Sequence, residues 1–304
     1  MLRRTLLYLS EQRSLRRWME NSPLSHRVTS RFIAGSRLPD GIAVLEQLSR
    51  EHIRGTLDFL GENVRSLEEA AISKESYLAA LNAIERADLP ATVSIKLTQF
   101  GLDFSEEACC QNVIALVQRA KEMDSRVEVD MESSDYTDRT LHMVTELHER
   151  FQGHVRAVIQ AYLYRSEQDI RMLSEKKVPV RLCKGAYNEP AIVAFPNKSD
   201  VDDNYVKLMK LLLDEGTYPA IASHDENIIG QALRYINEQR IPPSRFEFQM
   251  LYGIRRDLQR RLVEQGLRLR LYVPYGEAWY PYFMRRLAER PANVFFLAKN
   301  LLRS

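Results

Sequence analysis

The chain has 304 residues, of which 45% are hydrophobic and 28% are charged, a composition typical of a globular protein with a sizeable core. Because 43 lysines and arginines nearly balance 41 aspartates and glutamates, the net charge is only +2, and we expect no nucleic acid as a partner. Three cysteines cannot form a closed disulfide framework, so we expect a reducing compartment, the cytoplasm.

The first 35 residues form a basic segment. They contain two glutamates, Glu11 and Glu20, and seven arginines: Arg3, Arg4, Arg13, Arg16, Arg17, Arg27 and Arg31. A basic amphipathic helix of this kind either docks on the main domain, which we favour, or touches the anionic inner face of a membrane as a peripheral contact. No apolar run is long enough for a transmembrane helix. We predict an N-terminal helical arm over residues 1–45 and a catalytic domain over residues 46–304.

From residue 54 onward, short β-branched or aromatic runs alternate with longer amphipathic patterns. The predicted strands cover residues 54–60, 91–97, 126–131, 155–161, 179–185, 218–223, 245–251 and 268–274. This alternation predicts a parallel sheet, and eight units predict a closed α/β barrel of the (β/α)8 TIM type. An open doubly wound sheet is the main competitor, but no G-x-G-x-x-G follows a strand.

Polar side chains recur where a barrel does its chemistry, since the carboxyl ends of the strands converge on one mouth. The second to the eighth predicted strands carry, in order, Lys96, Asp130, Gln160, Arg181 with Lys184, Ser223 with His224, Gln249, and Tyr272. Charged groups inside apolar strands are costly unless they are paired, so their repetition indicates a polar site. Three cations against one aspartate favour an anionic ligand or cofactor.

A metal site is not expected. His142, His148 and His154 recur every six residues, which scatters them over different faces of a helix. The sequence contains no Cys-x-x-Cys and no His-Glu-x-x-His.

The stretch "YPYFMRRLAERP" at residues 280–291 contains two adjacent arginines. On a helix predicted from Pro281 to Arg290, one face carries Tyr282, Arg285, Arg286 and Glu289, at i, i+3, i+4 and i+7. In isolation such a polar stripe is typical of a solvated face. An anion-binding mouth offers it a second interpretation.

The ordered motifs resemble those of one family. "SIKLTQFG", "VEVDME", "VIQAYL", "VRLCKGAY", "SHDE", "FQMLYG" and "LYVPYGEAWYPYFMRRLAE" follow the order found in proline dehydrogenase, in its monofunctional bacterial form. The resemblance covers residues 54–295 and implies a distorted barrel whose last helix lies across the mouth. The implied activity is FAD-dependent oxidation of L-proline to pyrroline-5-carboxylate, the first step of proline catabolism. The resemblance further implies that hydride passes to flavin N5 and that the electrons pass on to a quinone.

The resemblance also implies roles for individual residues. Asp130 and Arg181 are assigned to catalysis, and Arg285 and Arg286 clamp the proline carboxylate. The other substrate-binding positions are Lys96, Tyr187, Leu251, Tyr272 and Tyr282. The flavin-binding positions are Met131, Gln160, Arg181, Lys184, Gly185, Ala186, Ser223, His224 and Glu289. A separate pyrroline-5-carboxylate dehydrogenase is the expected downstream enzyme.

One alternative uses the same barrel. A lyase or aldolase would form a Schiff base on Lys96 or Lys184 with a carbonyl substrate. A lysine at a strand end suits both activities. The lyase, however, leaves Arg285 and Arg286 without a role, so we favour the dehydrogenase.

Overall fold

Eight parallel strands form the centre of the structure, a computed structural model that describes residues 31–61, 64–280 and 282–284. The strands are β1 (Arg54–Phe59), β2 (Ala91–Ile95), β3 (Val127–Val129), β4 (Val155–Gln160), β5 (Val180–Cys183), β6 (Ala220–Ala222), β7 (Glu247–Leu251) and β8 (Leu269–Tyr275). Each strand pairs with the next, and β8 pairs with β1. The predicted closed (β/α)8 barrel is confirmed.

Eight α-helices alternate with the strands in the described part of the chain. They are α1 (Leu38–Arg50), α2 (Leu67–Arg86), α3 (Glu106–Glu122), α4 (Thr137–Arg150), α5 (Ser166–Glu175), α6 (Lys198–Glu215), α7 (Glu226–Glu238) and α8 (Arg256–Glu264). Side chains cap several of them: Ser66 accepts from the Glu69 amide and Ser105 accepts from the Ala108 amide. A polar residue directly after a loop thus fixes where these helices begin.

Most helices end in the same kind of turn, at the amino-terminal side of the next strand. The second residue after the helix adopts a left-handed conformation, which closes the last turn and reverses the chain. Such residues are His52, Asp88, Asp124, Lys177, Arg240 and Gly266. After each of these helices, the turn therefore brings the chain back to the amino-terminal end of the barrel.

Most of the buried apolar residues fall into two clusters. The larger one lies between strands and helices and includes Leu45 and Leu48 of α1. The smaller one lies beside the carboxyl ends of the strands, and Leu251 and Tyr272 pack against it; its buried members are Phe32, Ile33, Leu60, Ile254, Trp279, Tyr280, Tyr282, Phe283 and Met284. Residues from the two ends of the described chain therefore meet next to the mouth.

The remainder of the predicted arm, residues 1–30, lies outside the described residues. Its two interpretations stay predictions, as does the division of the chain at residue 45. In the part of the chain that the structure describes, no helix combines the length and the apolar character needed to cross a bilayer.

Candidate active site

A cavity of about 490 Å³ opens at the carboxyl ends of the strands. Every predicted site residue that the structure describes lines it: Lys96, Asp130, Met131, Gln160, Arg181, Lys184, Gly185, Ala186, Tyr187, Ser223, His224, Leu251, Tyr272 and Tyr282. Arg285, Arg286 and Glu289 lie outside the described residues. The barrel thus brings together side chains that are far apart in the sequence, while their individual roles stay predictions.

Asp130 lies at the centre of the polar wall. Its Oδ1 accepts hydrogen bonds from Arg181 Nη1 at 2.6 Å and from Ser94 Oγ at 2.8 Å. Its Oδ2 accepts from the Tyr272 hydroxyl at 2.8 Å and lies 3.5 Å from Lys96 Nζ. Both carboxylate oxygens are therefore held by groups from β5, β8 and the end of β2.

Tyr272 remains a protonated donor in this setting. Its burial, together with the charges of Asp130 and Asp58, raises the pKa of Tyr272 well above the ordinary 10.0. The guanidinium carbon of Arg181 lies 5.5 Å from its ring centroid, within range of a cation–π contact. The ring is thus fixed at its hydroxyl and along its face.

Asp58 is a cavity residue that the sequence interpretation missed. It lies at the carboxyl end of β1 and is 1% exposed, and its Oδ1 is 3.3 Å from Lys96 Nζ. Lys96 therefore lies between two carboxylates, those of Asp58 and Asp130. The signal was present in "RGTLDFL", where one acid interrupts an apolar run, the criterion that selected the other seven strands.

A buried ion network fills the barrel beneath the cavity. Arg156 Nη1 lies 2.6 Å from Glu247 Oε1 and 3.3 Å from Glu128 Oε1, and all three side chains are fully buried. Glu128 also pairs with Arg181, and Glu247 pairs with Arg270 at 3.0 Å. In the described barrel interior, four cations face four carboxylates: Lys96, Arg156, Arg181 and Arg270 against Asp58, Glu128, Asp130 and Glu247.

The network keeps Glu128 and Arg181 ionised. Burial acts to raise the pKa of Glu128, but the charges of Arg181, Arg156 and Arg270 outweigh it and lower the pKa to about 2. Burial likewise acts to lower the pKa of Arg181, but Glu128 and Asp130 outweigh it, and the pKa lies above its ordinary value. Arg181 is therefore a permanent cation held from below.

The loop after β5 presses its backbone against the cavity wall. Gly185 has a φ of 115°, and a Cβ there would lie 2.2 Å from Cδ1 of Tyr162, so only glycine fits. Glu189, further along the loop, accepts hydrogen bonds from the Ser134 amide at 2.8 Å and from the Tyr162 hydroxyl at 3.3 Å. The loop that carries Tyr187 is thus tied to the loop after β3.

Lys184 lies at the rim, between two acids. Its Nζ is 2.9 Å from Asp225 Oδ2 and also pairs with Asp202. Burial acts to raise the pKa of Asp225, but the hydrogen bond and the charge of Lys184 outweigh it and lower the pKa. Asp225 also caps α7 and donates its amide to Ser223 Oγ at 3.1 Å. These contacts hold a cation at the edge of the cavity.

His224 joins two strand ends. Its Nε2 lies 2.7 Å from the amide nitrogen of Leu251, which donates to it. Because Nε2 is the acceptor, the ring proton is on Nδ1 in this arrangement. The bond holds Leu251 at the cavity wall, beside the smaller apolar cluster.

A closed (β/α)8 barrel with paired buried charges at the carboxyl ends of its strands defines a barrel enzyme with a polar, anion-compatible active site. A family model described as proline dehydrogenase matches residues 42–299. The chain belongs to the proline dehydrogenase family, which confirms the resemblance drawn from the motifs and the predicted class of enzyme.

Several relatives agree with this assignment. The chain is 41% identical over 305 residues to proline dehydrogenase 1 of Bacillus subtilis (strain 168), with 100% of both chains covered. It is 39% identical over 280 residues to the proline dehydrogenase of Deinococcus radiodurans, with 91% of this chain and 90% of the relative covered.

A solved structure is similar in fold. It is proline utilization A (PutA) from Bdellovibrio bacteriovorus inactivated by N-propargylglycine, with a TM-score of 0.81 and 27% identity. The match covers 86% of this chain but 32% of the PutA chain, so this protein corresponds to about a third of that larger protein.

Proposed function

We propose that the protein oxidises L-proline to pyrroline-5-carboxylate, with FAD as its cofactor, in the cavity at the carboxyl ends of the strands. The proposal rests on one arrangement in a chain of this family: Asp130 is bonded to Arg181 and Tyr272 and lies 3.5 Å from Lys96. This arrangement supplies charge for a zwitterionic substrate and a fixed wall that orients the substrate.

The residues present fit a flavin dinucleotide. Arg181 Nε is buried and has no hydrogen-bond partner among the described residues, so a donor remains for a ligand atom. Gly185 lines the cavity with its backbone alone, and Lys184 supplies a cation at the rim. These donors suit the two parts of a flavin dinucleotide, its pyrophosphate and a ring with acceptor atoms. No Rossmann loop is needed for such binding.

Substrate binding combines charge with apolar walls. Lys96 offers an ammonium group to the proline carboxylate, while Tyr272 and Leu251 border the ring beside the smaller apolar cluster. Arg285 and Arg286, predicted from the sequence, would add paired guanidinium donors. Tyr282 in the wall and Tyr187 at the rim exclude water and larger polar amino acids.

The chemistry removes a hydride from a ring carbon and a proton from the ring nitrogen. When it is bound, the flavin supplies the acceptor for the hydride. Asp130, which lines the cavity, would receive the proton, directly or through a water that it orders. Arg181 holds Asp130 in position and would keep positive charge beside the bound cofactor.

A quinone would take up the electrons, and a separate pyrroline-5-carboxylate dehydrogenase would consume the product. Both partners are proposed from the family. A protein with peripheral access to a membrane would meet the quinone there, which gives the basic segment within residues 1–35 its second interpretation.

The lyase alternative is disfavoured by the surroundings of both lysines. A Schiff base requires a neutral amine that can attack a carbonyl carbon. Lys96 is paired with Asp58 and Asp130, and Lys184 is paired with Asp202 and Asp225. Both ammonium groups are thus engaged as cations.

Anaerobic addition of L-proline to the purified protein tests the proposal. We expect a yellow protein whose flavin absorbance is bleached by L-proline, with a quinone restoring it. A colourless protein that cannot be reconstituted with FAD, or a flavin unaffected by L-proline, would refute it. Borohydride trapping of a carbonyl adduct on Lys96 or Lys184 would support the lyase instead.

A further inference from the structure

Three arginines surround Tyr218 at the amino-terminal end of the barrel, opposite the active-site cavity. Arg54 Nη1 and Arg268 Nη1 lie 3.0 Å and 3.4 Å from the Tyr218 hydroxyl. The guanidinium carbons of Arg126 and Arg268 lie 5.6 Å and 5.7 Å from its ring centroid. All four side chains are half-buried. Three half-buried guanidinium groups therefore converge on one tyrosine side chain, in addition to the buried Arg156.

These arginines are in excess over the acids around them. The four cations of the barrel interior are already matched by four carboxylates. Across the described residues, no carboxylate oxygen lies within 4.0 Å of the guanidinium nitrogens of Arg126 or Arg268. Arg54 Nη1 lies 4.0 Å from a Glu247 oxygen, and the Glu247 carboxylate also pairs with Arg156 and Arg270 and accepts from the Tyr218 hydroxyl at 3.1 Å. Among the described residues, Arg126 and Arg268 thus have no carboxylate partner, and Arg54 shares one with two other arginines.

Burial and the charges of the buried network act on Arg126. Burial and the nearby charge of Arg156 lower the pKa of Arg126 from 12.5 to about 10. Its Nε donates to the Gly153 carbonyl at 2.8 Å, while no hydrogen bond to another described residue uses its Nη atoms. An anion next to Arg126 would satisfy these donors and relieve the repulsion.

Tyr218 is held in an unusual backbone conformation. Its φ is 47°, and it is the one tyrosine, phenylalanine or tryptophan with a positive φ in the described part of the chain. A bulky side chain rarely adopts this region, and such strain persists where the surroundings impose it, frequently at ligand sites. Arg156 donates to the Tyr218 carbonyl at 3.2 Å and lies 5.4 Å from its ring. The Tyr218 ring is therefore held in a fixed position among the arginines.

We propose that this end of the barrel binds a compact divalent oxyanion, with inorganic phosphate as the simplest example, on Arg54, Arg126 and Arg268 around Tyr218. Planar guanidinium groups match oxyanions through paired, charge-assisted hydrogen bonds. The site is separate from the proline cavity, and its ligand stabilises the folded protein because it binds the native arrangement of the three strands.

Phosphate binding to the flavin-loaded protein tests the inference. Thermal unfolding is followed at increasing inorganic phosphate, with chloride keeping the ionic strength constant, and calorimetry gives the apparent Kd. We expect phosphate to raise the Tm, and Arg126→Gln or Arg268→Gln to weaken phosphate binding roughly tenfold. Arg245→Gln is the matched control, since Arg245 is exposed at the same end and its loss changes the net charge equally.

Two outcomes would overturn the inference. Equal stabilisation by chloride and phosphate would exclude a specific site. An unchanged Kd in Arg268→Gln would place the bound phosphate elsewhere, including at the active-site cavity. If Arg126→Gln does not fold because the bond to Gly153 is lost, Arg54→Gln provides the same test. None of these measurements depends on proline oxidation, so the two proposals fail separately.

Discussion

Asp130 and Arg181 are joined by a 2.6 Å hydrogen bond across the mouth of the barrel, although β4 separates their strands. The same guanidinium group pairs with Glu128 beneath it, so Arg181 connects the cavity to the buried network. The carboxylate connects Arg181 in turn to Tyr272 and Lys96. The proposed catalytic residues are therefore parts of one hydrogen-bonded unit, and a change in one of them affects the others.

Asp130→Asn tests that unit while leaving its shape intact. Arg181 loses one of its two carboxylate partners, and the cavity loses its proton acceptor. We expect kcat/KM for L-proline to fall roughly 10- to 100-fold with bound flavin retained. Steady-state kinetics and the flavin spectrum measure this. Asp135→Asn, at an exposed position on the following loop, is the control; an equal loss there, or none in Asp130→Asn, would contradict the assignment.

Arg285→Met and Arg286→Met test the predicted carboxylate clamp. Removing one charged partner of a desolvated carboxylate costs about 2 to 5 kcal/mol, so the KM for L-proline should rise by orders of magnitude. Bound flavin should remain. Arg260→Met removes an equal charge from an exposed position on α8 and should leave the KM unchanged. Normal proline affinity in both clamp variants would refute the clamp.

Gly185→Ala tests the loop that faces the proposed cofactor. An added Cβ would lie 2.2 Å from the Tyr162 ring at a backbone φ of 115°, so the loop must move. Strain of about 1 to 3 kcal/mol predicts roughly tenfold weaker FAD binding, measured by flavin fluorescence and flavin content.

The control for that variant is Gly230→Ala on α7. There the nearest neighbour, Arg234 Nη1, lies 3.7 Å from the added Cβ. Alanine should raise helix stability by about 0.5 to 1 kcal/mol without affecting FAD. Full flavin content in Gly185→Ala would show that this loop does not contact the cofactor.

Glu128→Gln tests the buried network through stability. The variant leaves Arg156, Arg181 and Arg270 with one fewer carboxylate, and we expect a loss of about 3 to 5 kcal/mol in the free energy of unfolding, measured by urea denaturation. The matched control is Glu122→Gln, which removes a carboxylate from an exposed position at the end of α3.

The same carboxylate predicts a pH dependence. Its pKa falls from 4.5 to about 2 on folding, so its contribution is complete above pH 4.5 and is lost as the pH falls towards 2. The stability of the unmodified protein should therefore decline over this window, and the decline should be shallower in Glu128→Gln. Identical slopes in the two proteins would mean that Glu128 is not ionised in the fold.

Much of the site was predictable because strands alternate their side chains. Lys96, Asp130 and Arg181 interrupt apolar runs, and eight alternating units indicate a barrel whose strand ends converge. Asp58 obeys the same rule and was overlooked. Glu128 lies two residues before Asp130 on the same face of β3, so its inward direction was also readable from the sequence.

The partners of these side chains could not be predicted from the sequence in the same way. The contact of Arg270 Nη1 with the Gly55 carbonyl at 2.7 Å joins residues 215 positions apart and exists because β8 closes on β1. The clash that makes Gly185 obligatory depends on where Tyr162 packs, and the cluster around Tyr218 joins residues from four separate strand beginnings.

Local pattern thus specified the strands, the direction of their side chains and, through ordered motifs, the family. Which charge neutralises which, and which arginines are left in excess, followed from closure of the barrel. The physical reason is that periodicity is a property of neighbouring residues, whereas electrostatic compensation depends on distances between residues that only folding brings within a few ångströms.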